Sequence, residues 1–244
     1  MNKRCRVMGC ILWTTLALPI APAAAQLRGH GGPVRALAVS EDGAKVLSGS
    51  FDASAILWDL RNGTAAQVLR LHDGAVNAVA FLKDGRAVTA GSDARIALWT
   101  PGRTAPDSVL AGHAGPVAAL AVASGGGIAS ASWDRTVRLW DLAGGEPMVL
   151  DGHGQNVNGV AFLADGTAVV SAGYDATVRI WPLPQPAAAI VAELPVPLNA
   201  VATARDGEIA AAGADGHVYF LSPSGQRLGA TEVVERDRRA RDFA

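Results

Sequence analysis

The sequence predicts an all-β fold made of four clear copies of one four-stranded unit and a fifth, degenerate copy. Three observations carry this. Trp58, Trp99, Trp140 and Trp181 stand 41 residues apart, and each has an aspartate six positions earlier, at Asp52, Asp93, Asp134 and Asp175. His30, His72, His113 and His153, followed by Ser48, Thr89, Ser130 and Ser171, keep one order in every copy. Apolar-rich runs and glycine turns recur in the same register. A register held over four tryptophans marks a repeat array, in which one unit cannot bury its own apolar face and stacked neighbours cover it.

Residues 1–25 precede the array. Lys3, Arg4 and Arg6 lead into an apolar run from Val7 to Ile20, and Ala23-Ala24-Ala25 offers the small residues of a signal-peptidase site before Gln26. This reads as an export signal. Val7-Met8-Gly9-Cys10 only faintly matches a lipoprotein box, because the apolar run follows Cys10 where it should precede it. Cys5 and Cys10 are the two cysteines of the chain, so the exported form is expected to hold together by packing without disulfides.

The four clear copies run at about 27–69, 70–109, 110–149 and 150–189. Each opens on an apolar-rich strand: Val34 to Val39, Val76 to Phe81, Val117 to Val122 and Val157 to Phe162. Asp42-Gly43, Asp84-Gly85 and Asp165-Gly166 then break the chain, glycine accepting the positive φ of a two-residue hairpin turn. Gly125-Gly126-Gly127 falls at that place in the third copy and reads as a turn, not as a phosphate cradle. A second strand carries the Ser or Thr, the Asp closes the next turn, and a third strand ends on Trp, as in Thr136 to Trp140. The fifth copy, about 190–225, repeats Asp206-Gly207 and the opening strand, since Leu198-Asn199-Ala200-Val201-Ala202 matches Val157 to Ala161. Leu194, Ala211 and Leu221 replace its histidine, serine and tryptophan, and Asp215 alone remains. Residues 226–244 carry five arginines with no unit pattern after Val234, and are expected to form a solvated, mobile tail.

Composition excludes several functions. Half the residues are hydrophobic, yet no stretch after residue 25 is long and apolar enough to span a membrane as a helix. Without the leader, 18 basic residues face 22 acidic ones for a net charge of −4, and the arginines before residue 226 are scattered, which argues against nucleic acid. A His near an Asp and a Ser has the make-up of a nucleophilic triad, but it recurs four times where an enzyme needs one. The histidines belong to separate copies, which argues against a shared metal. There is no nucleophile elbow, zinc-protease motif, phosphate loop or haem-attachment motif. No catalytic residue, metal ligand or cofactor is predicted.

With Gly-His at 29–30, 112–113 and 152–153 and Trp-Asp at 58–59 and 140–141, the chain resembles the WD-repeat family of β-propellers. The resemblance is strong through four copies and weak in the fifth, over roughly Leu27 to Ser222. It implies that the copies are blades around an axis, and that each quartet is a buried hydrogen-bond chain from indole through hydroxyl and imidazole to carboxylate. The quartets are His30, Ser48, Asp52, Trp58; His72, Thr89, Asp93, Trp99; His113, Ser130, Asp134, Trp140; and His153, Ser171, Asp175, Trp181. It also implies a platform for protein partners on the face beside the quartet turns. The residue before each quartet aspartate, Phe51, Ser92, Trp133, Tyr174 or Ala214, lies on that rim. Arg35, Asn77, Asn156, Asn158 and Asn199 surround them. The expected function is a non-catalytic scaffold exported to a bacterial periplasm. The alternative is the propeller portion of a periplasmic c-type cytochrome electron-transfer protein whose haem domain is absent from this chain. Family members commonly close with more blades, so an incomplete or open ring, a shortened chain and self-association through exposed blade edges are expected.

Overall fold

The computed structural model describes residues 26–184 and 189–232, so the export-signal reading of residues 1–25 and most of the charged tail lie outside the described residues. Twenty strands form five four-stranded antiparallel sheets, each in sequence order. The first sheet is β1 Val34–Val39, β2 Lys45–Ser50, β3 Ser54–Asp59 and β4 Thr64–Arg70; the second is β5 Val76–Phe81, β6 Ala87–Gly91, β7 Ile96–Trp99 and β8 Ser108–Leu110. The third is β9 Val117–Val122, β10 Ile128–Ser132, β11 Val137–Trp140 and β12 Met148–Leu150; the fourth is β13 Val157–Phe162, β14 Ala168–Gly173, β15 Thr177–Pro182 and β16 Ile190–Glu193. The fifth is β17 Leu198–Thr203, β18 Ile209–Gly213, β19 His217–Leu221 and β20 Arg227–Glu232.

Two expected boundaries move. Ile190–Glu193 pairs with Thr177–Ile180 and so completes the fourth blade instead of opening the fifth. Arg227–Glu232, placed in the tail by its charge, pairs with His217–Leu221 as the fifth blade's outer strand. Outer strands carry no motif residue, so only their hydrogen bonds assign them to a sheet. The first hairpins also differ from a two-residue turn: the Gly43 N–H donates to Ser40 O and the Ser40 N–H to Lys45 O, with φ positive at Gly43 and not at Asp42. A type I turn followed by one left-handed residue has this form.

Successive sheets bury their faces against each other, as two-sided apolar sheets must. Leu47, Ala55, Leu57 and Leu69 of the first blade pack on Val76, Val79, Ala87 and Trp99 of the second. Val88, Ala90, Ile96 and Leu98 of the second then pack on Val117, Ile128 and Trp140 of the third. Two further clusters join the third blade to the fourth and the fourth to the fifth. The innermost strands touch in the series β1, β5, β9, β13, β17. Among the described residues the series does not return to β1, whose Val34, Leu37 and Val39 stay exposed, so the ring they form is open.

Candidate functional site

Every innermost strand begins with the same irregularity. Val34 faces Ser50 and Ala36 faces Gly49, so Arg35 is an extra residue with no partner of its own; the shift recurs at Asn77, Ala118, Asn158 and Asn199. A bulge of this kind re-aims the extra side chain. Here all five, the polar Arg35, Asn77, Asn158 and Asn199 and the small Ala118, line the mouth of the central channel with Trp133 and Tyr174, around a cavity of about 720 Å³. Two of the bulge asparagines latch neighbouring blades. The Asn77 amide donates to Val117 O and to Ser92 Oγ at 3.0 Å each, and the Asn158 amide donates to Leu198 O at 2.9 Å. Asn158 also accepts from the Trp133 indole at 3.1 Å, which fixes that ring across the junction of two blades.

Phe51, Trp133 and Tyr174 are each about half exposed. The Arg35 guanidinium lies 5.6 Å from the centre of the Phe51 ring, an attractive cation–π distance. Tyr174 is tied at its backbone, its N–H donating to Asn156 O at 2.8 Å. The structure brings Arg35, Asn77, Trp133, Asn158, Tyr174 and Asn199 together at the mouth, while Phe51 and Asn156 do not line it. Leu37 and Leu120 line it unforeseen. In sequence they sit in apolar strands and read only as core.

The quartets lie beside this mouth and inside the blades. The Trp140 indole donates to Ser130 Oγ at 2.8 Å, Ser130 Oγ lies 2.7 Å from His113 Nε2, and His113 Nδ1 lies 2.7 Å from Asp134 Oδ2. An indole can only donate, so the serine proton points to Nε2 and the imidazole proton to the carboxylate. The same chain joins Trp58, Ser48, His30 and Asp52, then Trp99, Thr89, His72 and Asp93, then Trp181, Ser171, His153 and Asp175. This chain belongs to the WD-repeat family. The family described as WD domain, G-beta repeat matches residues 23–59, 63–100, 105–141 and 144–182. No curated protein matches the chain closely enough to count as a relative.

The WD-repeat quartets leave no chemistry free. The serine and threonine hydroxyls are buried, their oxygens taken by indoles and their protons by imidazoles. Burial would raise the Asp134 pKa, but hydrogen bonds from His113, Thr136 and the Ala114 amide outweigh it and hold the carboxyl at about 2. Burial lowers the His113 and His153 pKa values, with Arg138 and Arg179 adding to the effect and Asp134 and Asp175 opposing it. A base whose acceptor nitrogen is occupied and whose carboxylate stays ionised is a structural strut. Among the described residues no group of three or more His, Cys, Asp or Glu side chains is placed to hold a metal ion.

The fifth blade replaces its lost quartet with a shortcut that sequence reading missed. The Tyr219 hydroxyl donates to Asp215 Oδ2 at 2.6 Å, and the Tyr219 ring fills the buried junction with the fourth blade. Tyrosine four residues after the aspartate was the available signal. It stands opposite Ala211, which holds the serine's place, and reaches the aspartate directly.

Proposed function

We propose that this WD-repeat chain is a non-catalytic scaffold that captures a protein partner at the channel mouth. One observation carries the reading: Trp133 and Tyr174, from adjacent blades, stand half exposed at one concave face, and Trp133 is held by Asn158 before any partner arrives. Large aromatic rings fixed in advance lose little freedom on binding, and such residues dominate interface energies. The cavity wall mixes amide and guanidinium groups with apolar side chains, the composition of a partner-binding surface rather than of a lipid-facing one. The site of action follows from residues 1–25, whose basic start, apolar run and Ala-Ala-Ala end support export to a periplasm.

Affinity capture from periplasmic extract tests the reading. The Trp133→Ala, Tyr174→Ala double variant should lose captured protein while keeping its unfolding midpoint. Unchanged capture would remove this face from consideration.

A further inference from the structure

Every junction inside the molecule is built on one pattern with a direction. The innermost strand of one blade offers two small residues on its leading face, and the next innermost strand sets larger ones against them. Ala36 and Ala38 receive Val76, Val79 and Phe81; Ala119 and Ala121 receive Val157, Val160 and Phe162. Between the fourth and fifth blades the floor is tighter still, since a Cβ on Gly159 would stand 2.6 Å from Val201 N.

The two open ends carry the two halves of this pattern. On the first blade Leu37 is 68% exposed where its counterpart Val79 is 9%, and Val34 is 50% exposed where Val76 is 0%. On the fifth blade Ala200 and Ala202 are exposed where Ala78 in the second is buried. The polar latch follows the same direction: Asn77 and Asn158 donate to the first carbonyl of the next innermost strand, at Val117 and Leu198. Asn199 holds the register position of the donors at one end, and Val34 that of the acceptors at the other.

We propose that the leading face of the fifth blade binds the trailing face of the first blade in a second copy of this chain. A second copy presents both complementary halves, the larger residues with their carbonyl and the alanine floor with its asparagine. The contact is heterologous, so it closes if two copies complete a ring and otherwise adds copies in a row.

Leu37→Arg destroys one half of the contact and Ala202→Arg the other, and both positions are exposed, so both variants should fold. Light scattering on the purified chains, with circular dichroism to confirm the sheets, gives the test. The unsubstituted chain should be a dimer or larger, each variant alone a monomer, and an equimolar mixture of the two a species of twice the monomer mass and no larger. A monomeric unsubstituted chain, a mixture that stays monomeric, or a variant that still self-associates would each overturn the proposal.

Discussion

Replacing His113 with alanine removes the middle of a chain that is closed at both ends. The imidazole is fully buried, accepts from Ser130 and donates to Asp134, and stands edge-on to Trp140 with ring centres 6.0 Å apart. Its loss strands the Ser130 hydroxyl proton, at a cost of about 1–3 kcal/mol. The cavity it leaves adds roughly 2 kcal/mol. Asp134 suffers less, because the Ala114 and Thr136 amides and the Thr136 hydroxyl still donate to it at 2.7 to 3.0 Å. The expected total is about 3–5 kcal/mol, a fall in Tm of about 10 °C for a domain of this size. Urea unfolding of the single variants His113→Ala and Ser130→Ala and of the double variant measures it. Each single change strands a group that the other would satisfy, so the double variant should cost about 1–3 kcal/mol less than the sum. A loss below about 1 kcal/mol for His113→Ala, or strictly additive costs, would refute the linked-chain reasoning.

Acidification should destabilise the fold in two stages. The His113 and His153 pKa values are lowered, so the unfolded chain takes up protons that the fold resists, and stability is lost as pH falls below about 6.5. The lowered Asp134 carboxyl contributes stability above its unfolded value and loses it as pH falls towards about 2. A urea midpoint as high at pH 5 as at pH 8 would contradict the first stage. Ala53, Ala94 and Ala176 follow the quartet aspartates with φ of 62 to 64°, where an L side chain costs about 1–2 kcal/mol against the roughly 0.5–1 kcal/mol entropic cost of glycine. Ala94→Gly should therefore raise the thermal midpoint, as read by circular dichroism, and a lower midpoint would count against the strain. Gly159→Ala would push a Cβ into the backbone of β17 at Val201 N and the Ala200 carbonyl carbon, and should cost about 1–3 kcal/mol. Hydrogen exchange should show the fifth blade opening more easily in that variant, and unchanged protection there would show that the junction has slack.

The sequence by itself determined the repeat unit, the four quartets and the position of every innermost strand. These are legible because turn chemistry and strand pairing within a blade are local, and a repeat shows each local rule several times over. Tertiary structure decided where each blade ends and what happens between blades. The outer strands Ile190–Glu193 and Arg227–Glu232 carry no motif, and only their ladder to the third strand assigns them. The Gly-His dipeptide was visible as a family mark, but its cause lies in the folded backbone: φ is 149° at Gly112 and 153° at Gly152, a conformation that L side chains rarely adopt, and Leu71, at the same place in the second blade, has no positive φ. Asn77 and Asn158 read as a polar rim in sequence, yet each spends its amide on the next blade, a partner about 40 residues away. Leu37 and Val79 occupy equivalent places in equivalent strands, and one is exposed while the other is buried. No local pattern separates them, because burial at a blade face depends on whether another blade stands in front of it.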